Sequence, residues 1–211
     1  MLHKSGPDKA SNDCSSGERI GYNCQGMNGD IERVLISHSQ IAQRVHELAG
    51  QITRDITEAG GDRAELTIIP VLTGAMIFAA DLMRHLPMRM RIGLLTVSSY
   101  PGKSMRSKGA SVLSQQVQDV RGRHVLIVDD ILDSGGTLRL VRSTFEGFAP
   151  ASLRTCVLLR KMTEGAKATS IDYVGFEIPD EFVVGYGLDW NDYYRNLPDI
   201  VTLKRDIITG G

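Results

Sequence analysis

Cysteine is scarce in this chain. Cys14, Cys24 and Cys156 are an odd set without paired spacing. That excludes a disulfide framework and a cysteine-based zinc site. Cys156 sits in an apolar segment and is expected in the core. Long apolar runs are also missing. The most apolar region, Ile68–Ala80, is interrupted by Pro70 and by Thr73-Gly74, and it falls short of the ~20 residues that span a bilayer. No apolar segment of the kind that follows the basic start of a signal peptide comes after Lys4, so no signal peptide is expected. Excess charge of one sign is absent as well. The 24 Lys and Arg against 25 Asp and Glu leave a net charge of -1, which makes no bulk electrostatic case for nucleic acid. A cytoplasmic protein with neither nucleic acid nor membrane as partner fits these absences.

What is present is ordinary globular material: 211 residues, 42% hydrophobic and 23% charged. That is enough for one domain with a sizeable core. Residues 1–29 are rich in Ser, Asn, Gly and Asp and poor in apolar side chains, so they read as a disordered extension. The domain proper is expected over residues 30–211, with Ile31, Val34, Leu35 and Ile36 as its lead-in.

The most informative stretch runs from Val125 to Leu138. Val125-Leu126-Ile127-Val128 is a short unbroken apolar run, suited to a strand buried on both faces. Asp129 and Asp130 follow at once, and Asp133 comes three residues later. Ser134-Gly135-Gly136-Thr137 is small and polar, and Leu138, Val141 and Phe145 then have helical spacing. The order is strand, acidic edge, small-residue loop, helix. A helix N-terminus presents unpaired N–H groups and partial positive charge, and glycines let a phosphate oxygen approach them. Carboxylates beside such a cradle repel phosphate but accept from sugar hydroxyls or hold a divalent cation. The pattern therefore points to a sugar phosphate. The plain alternative is a strand-to-helix turn using Asp, Ser and Gly as caps; the acids and the loop together favour the ligand.

Other elements follow from periodicity. Ser37 opens a helix with Gln40 placed for a capping box. Ile41, Val45, Leu48, Ile52 and Ile56 share one face, and Gly60-Gly61 ends it. His38 and His46 lie on this helix too far apart for one metal and read as solvated surface. Leu66–Leu72 is a buried strand, followed by the Thr73-Gly74 loop and a helix from Ala75 to about His85. Met90–Val97 reads as one strand, and residues 98–109 as a polar, basic loop. Ser111–Val117 returns as a β-arm. The helix after the central stretch is expected to reach Phe148. Leu153–Leu159 is a strand with Arg160-Lys161 at its end. Tyr173–Phe176, Phe182–Val184 and Ile200–Leu203 read as further strands, and the tail beyond Asp206 as frayed. Strands alternating with helices predict an α/β fold, a mostly parallel sheet with helices on both faces and ligands beyond the carboxyl ends of the strands. The N-terminal lead-in and the C-terminal segment are left to form a small hood.

The Val125–Leu138 stretch resembles the signature of type I phosphoribosyltransferases, which bind phosphoribosyl pyrophosphate. The run Tyr173-Val174-Gly175-Phe176-Glu177-Ile178-Pro179-Asp180-Glu181-Phe182-Val183-Val184-Gly185-Tyr186-Gly187-Leu188-Asp189 resembles that of the members acting on 6-oxopurines, hypoxanthine and guanine. The resemblance extends from about Asp30 to Asp206. It implies a type I phosphoribosyltransferase-like fold with a flexible loop, matched by Ser99 and Tyr100. It implies Asp133 as the general base. Asp129 and Asp130 would hold the ribose, and the backbone of Ser134, Gly135, Gly136 and Thr137 the 5′-phosphate. Thr73, Gly74 and Arg195 would meet pyrophosphate, with the Leu72-Thr73 peptide often cis. Lys161, Phe182, Val183 and Asp189 would recognise the purine. Mg²⁺ is the implied cofactor, with Asp189, Asp129 and Asp130 as its acids. Relatives often carry Lys at the Thr73 position and Glu at the Asp129 position. The first departure leaves Thr73 a backbone role; the second shortens the reach to ribose.

The implied reaction is purine salvage. A phosphoribosyl group passes to hypoxanthine or guanine, giving IMP or GMP and pyrophosphate, in a homodimer or homotetramer. An ammonium such as that of Lys161 only donates, which suits an oxo rather than an amino substituent. Two alternatives stand beside this: a xanthine-preferring transferase, and an RNA-binding regulator on the same fold, which would want a basic face.

Overall fold

The computed structural model describes residue 27 and residues 29–61, 64–98, 111–116 and 119–209. Nearly all of the expected N-terminal extension lies outside these residues, as do Ser99 and Tyr100 of the expected flexible loop.

In chain order the elements are β1 (Ile31–Ile36), α1 (His38–Gly60), β2 (Leu66–Leu72), α2 (Met76–Arg84), β3 (Met90–Ile92), β4 (Leu94–Ser98), β5 (Ser111–Gln116), β6 (His124–Leu132), α3 (Gly136–Glu146), β7 (Ser152–Lys161), α4 (Glu164–Lys167), β8 (Tyr173–Ile178), β9 (Ile200–Leu203) and α5 (Arg205–Thr209). The main sheet has the order β5-β4-β2-β6-β7-β8, with β3 also beside β2. Its pairings are parallel except for β5, which runs antiparallel to β4. β1 and β9 form a separate antiparallel pair, the hood expected from the two ends of the domain.

Period-2 alternation in the central strands feeds two cores. Leu66 and Ile68, Leu126 and Val128, and Cys156 and Leu158 pack with the apolar faces of α1 and α2. Ile69 and Val71, Val125 and Ile127, and Val157 pack with Leu138, Val141 and Phe145 of α3. Helices therefore cover both faces, which the unbroken apolar strands require. A third cluster of Val184, Leu197, Val201 and Leu203 lies within the hood.

Several boundaries differ from the periodicity. Met90–Val97 is two strands rather than one, although the register is unchanged across the break, Ile68 facing Ile92 and Val71 facing Leu95. Pro70 has no N–H to offer on that side, so the ladder lapses at Gly93–Leu94. Phe182–Val184 is not a strand. Only Val184 bridges Val201, because the positive φ of Gly185, Tyr186 and Gly187 turns the chain away. α3 stops at Glu146, short of Phe148, where Ala149 at φ 50° reverses the path. The tail is not frayed at Asp206: α5 forms there, with Ile207 and Ile208 against the hood cluster. β7 extends past Leu159 to include Arg160 and Lys161.

The start of α1 is as expected. The Ser37 side chain accepts from the Gln40 N–H while the Gln40 side chain accepts from the Ser37 N–H. Ser37→Ala removes that capping box and is expected to cost about 1 kcal/mol, lowering the melting temperature by ~2–4 °C for a chain of this size. Activity should not change. Denaturant and thermal melts of the two proteins check it; identical curves would show that the cap contributes nothing.

Candidate active site at the carboxyl ends of the strands

β6 is longer than expected, and its extra length builds the site. The acids do not lie beyond the strand. Asp129 pairs with Val157, Ile131 with Leu159 and Leu132 with Arg160. On the other side, β2 stays with β6 only as far as Pro70 opposite Val128. Past that point β2 leaves for the Thr73-Gly74 loop, and the edge of β6 carrying the acids faces a gap.

That gap is a cleft of about 890 Å³. Asp129, Asp130, Asp133 and the Ser134–Thr137 loop line it together with Thr73, Gly74, Lys161, Phe182, Val183, Asp189 and Arg195. Every expected site residue among those described is therefore in one place. Leu72, Val97 and Asp192 also line it; they carry no local motif, and only the topology brings them there.

Asp129 and Asp130 form a tight pair. The Asp130 N–H donates to Asp129 Oδ1 at 3.1 Å, and the Ile131 N–H donates to Asp130 Oδ1 at 2.8 Å. Burial raises both carboxyls above the ordinary range, and the neighbouring Asp130 charge adds to the rise at Asp129. Arg195 partly offsets the effect at Asp130. Gly74 packs directly on Asp130: a Cβ there would fall on the carboxylate. Gly187, at φ +105°, in turn packs on the Gly74 carbonyl. The Leu72-Thr73 peptide is cis. Among the described residues the N–H groups of Thr73 and Gly74 have no backbone acceptor.

The loop after Asp133 enters α3 through Gly135 at φ 77°, in the left-handed region, and no side chain caps the helix. α1 and α4 are capped by Ser37 and Thr163. The first N–H groups of α3 therefore face the cleft as unfilled donors for an anion.

Lys161 closes another wall. Its ammonium lies 3.5 Å from Asp133 Oδ2 and 3.1 Å from Asp180 Oδ1. Asp180 carried no functional signal by itself, although it stands in the motif run; the β7–β8 register, Lys161 opposite Ile178, brings it across. Phe182 is exposed for its size at 39% and meets Trp190 edge-on with ring centroids 5.1 Å apart. Val183 is buried, yet among the described residues neither its N–H nor its C=O has a backbone partner. An open aromatic face beside unpaired peptide groups and an ammonium suits a flat heterocycle.

Arg195 is held by the Gly187 carbonyl at 2.8 Å, Asp189 Oδ1 at 2.8 Å and Asp192 Oδ1 at 3.0 Å. Among the described residues no three His, Cys, Asp or Glu side chains form a metal-holding group. The expected trio thus lines the cleft as a pair and a single acid rather than as one cage. His38 and His46 are exposed, as expected.

A parallel sheet with an uncapped helix N-terminus and an acid pair at its carboxyl edge defines a sugar-phosphate-binding α/β protein. The chain belongs to the phosphoribosyl transferase family, whose domain model matches residues 35–191. It is 42% identical to a hypoxanthine-guanine phosphoribosyltransferase of Mycobacterium tuberculosis, over 83% of this chain and 87% of that one. A crystal structure of a hypoxanthine-guanine phosphoribosyltransferase from Bacillus anthracis superposes with a TM-score of 0.75 at 38% identity, covering 83% of this chain and 100% of that one. A Trypanosoma cruzi hypoxanthine phosphoribosyltransferase variant, solved with its product IMP, has a TM-score of 0.75 at 38% identity over 84% of this chain and 92% of that one.

The acid pair has a stability consequence. A carboxyl whose folded pKa is raised holds its proton more tightly in the folded than in the unfolded protein. Its contribution is complete below the unfolded value near 3.8 and is lost as pH rises through the raised folded value. Asp129→Asn should therefore raise the melting temperature of the ligand-free protein at pH 7–8 by roughly a few degrees. The gain should shrink toward zero as pH falls to about 4, near the unfolded carboxyl value. Melts across that range check it, and a gain independent of pH would assign the effect to something other than charge.

Proposed function

We infer that the protein is a hypoxanthine-guanine phosphoribosyltransferase of purine salvage. It moves the 5-phosphoribosyl group from phosphoribosyl pyrophosphate to hypoxanthine or guanine, forming IMP or GMP and releasing pyrophosphate. The observation that carries this reading is the single cleft in which an uncapped helix start, a buried acid pair and a lysine beside an exposed phenylalanine meet. Two relatives of solved structure are a hypoxanthine-guanine and a hypoxanthine phosphoribosyltransferase by name, which favours this over a xanthine-preferring transferase or an RNA-binding regulator.

The residue roles follow from chemistry. The N–H groups of Ser134, Gly135, Gly136 and Thr137 hold the 5′-phosphate. Asp130, and Asp129 with its shorter reach, accept from the ribose hydroxyls. Phe182 stacks on the purine, the Val183 peptide groups bond its edge, and the Lys161 ammonium donates to the 6-oxo oxygen. The N–H groups of Thr73 and Gly74, with Arg195, receive the pyrophosphate. As the C1′–O bond to pyrophosphate breaks, C1′ gains cationic character and the purine imidazole nitrogen forms its bond to C1′. Asp133 takes the proton that nitrogen loses. Closure of a loop containing Ser99 and Tyr100 would exclude water from the cation. Asp129, Asp130 and Asp189 are hard oxygen donors that would hold Mg²⁺, and the ion would supply positive charge to the leaving pyrophosphate.

The same proposal places the activity in residues 30–211, in the cytoplasm, and in a homodimer or homotetramer. The exposed Ile92 and Leu94 side chains on the β3–β4 flank support self-association. No helix among the described residues is long and apolar enough to cross a membrane.

Three experiments test the reading. Steady-state kinetics with phosphoribosyl pyrophosphate, Mg²⁺ and each of hypoxanthine, guanine and xanthine should show turnover of the first two; turnover of xanthine alone would transfer the protein to the alternative. Asp133→Asn should lower kcat by ~10²–10⁴-fold, the range of general base catalysis, while IMP affinity is largely kept. Near-normal turnover would remove Asp133 as the base. Lys161→Gln should raise KM for hypoxanthine and guanine with less effect on phosphoribosyl pyrophosphate.

A further inference from the structure

The strand β7 ends at Lys161, and α4 begins three residues later at Glu164. None of Thr163, Gly165 and Thr169 lines the cleft, yet each touches the loop that does. The Thr163 hydroxyl donates to the Asp133 carbonyl at 2.6 Å. Gly165 lies under Ser134 so closely that a Cβ would stand 2.9 Å from the Ser134 carbonyl oxygen and 3.2 Å from its Cα. Thr169, 8% exposed, donates to the Gly165 carbonyl at 2.8 Å and accepts from Arg139 Nη1 at 3.0 Å. Both Thr169 and Arg139 press on Gly135, where a Cβ would be 2.7 Å from Arg139 Nη1. Three successive residues of the loop, 133–135, are thus each met from behind by this one turn or by the arginine it anchors.

We propose that α4 is a brace for the phosphate loop, with Thr163, Gly165 and Thr169 as positioning residues for the 5′-phosphate and for Asp133. A loop of small residues entering a helix through a left-handed glycine has little side-chain packing of its own to fix where its N–H groups point. Anion binding through N–H groups depends on that direction, and misplacement by about an ångström costs up to ~10²-fold. The brace supplies the missing constraint and joins it to Lys161, so the phosphate and purine ends of the cleft share one support. The inference rests on the phosphoribosyltransferase reading.

Gly165→Ala separates positioning from plain stability. Alanine favours the helix by ~1 kcal/mol over glycine, so a merely structural α4 would be kept or strengthened. The brace instead forces the Ser134 backbone to move. The expected result is a melting temperature lowered by no more than roughly a few degrees, because alanine's helix preference offsets part of the backbone shift, with KM for phosphoribosyl pyrophosphate and Kd for IMP raised about tenfold or more. In the reverse reaction at saturating IMP, KM for pyrophosphate, held elsewhere, should stay within about twofold, as expected for a site that does not share the perturbed contacts. Thr163→Val should raise the same two constants while also lowering the melting temperature through loss of the α4 cap, and Thr163→Ser should restore both, which decides the matter should Gly165→Ala not fold. Wild-type KM for phosphoribosyl pyrophosphate in these variants, or a parallel rise for pyrophosphate, would overturn the brace. Ribose 5-phosphate binding by calorimetry reads the loop without catalysis: a wild type that binds it but does not turn over hypoxanthine sinks the functional reading, whereas variants that bind it as tightly as wild type sink the brace.

Discussion

The unequal pairing of β6 is the constraint on which the site depends. One edge is hydrogen-bonded to β7 as far as Leu132, while the other loses β2 after Val128. A strand held on one side stays extended, so Asp129 and Asp130 are delivered in fixed directions. A strand released on the other side leaves room for a ligand. The carboxyl edge of a parallel sheet is the general place for such a gap. Here the gap is widened because β2 turns off at Leu72, next to the first acid. Neither the acid pair nor the phosphate loop would face a cavity had β2 continued alongside.

Close backbone approach then locks the neighbouring loops. Gly74 lies against the Asp130 carboxylate, Gly187 against the Gly74 carbonyl, and the Arg195 guanidinium against the Gly187 carbonyl. The Tyr186 hydroxyl adds a bond of 2.7 Å to Asp81 on α2. The loop proposed for pyrophosphate and the segment proposed for purine are thus packed directly on each other, although more than a hundred residues separate them. Side chains larger than hydrogen at Gly74 or Gly187 would pry the pair apart. This explains why glycines stand at 74 and 187, where the two segments meet.

The electrostatics have the same logic. Two adjacent carboxyls, Asp129 buried and Asp130 half-buried, oppose each other in the ligand-free protein, which is a cost to folding and an advantage to binding. The ribose hydroxyls or cation proposed for this pair would relieve it. Lys161 is likewise shared between Asp133 and Asp180 until a better acceptor arrives, and Arg195 between Asp189 and Asp192. Each charged group of the cleft already has a partner, so the site is polarised without being free to collapse on itself. Proteins that bind charged ligands commonly hold such destabilising pairs at the working surface.

Much of this was legible in the amino-acid order because the signals are local. Ser37 with Gln40, the apolar face of α1, the buried run Val125–Val128 and the acid-then-glycine pattern act over a few residues, so the chain determined its own caps, strands and phosphate loop. The resemblance of two motif runs pointed to the chemistry. Other features depend on what lies opposite. Asp129 and Asp130 belong to the strand rather than to its end because β7 pairs with them. Met90–Val97 is split by a proline on another strand. Phe182–Val184 is denied a ladder by the turn that follows it, and Ile207–Ile208 are ordered by the hood. Asp180 beside Lys161 and α4 behind the phosphate loop likewise exist only through sheet register. Local conformational preference can be read along the chain; hydrogen-bond partners and charge neighbours are set across it, and those were decided by the tertiary structure.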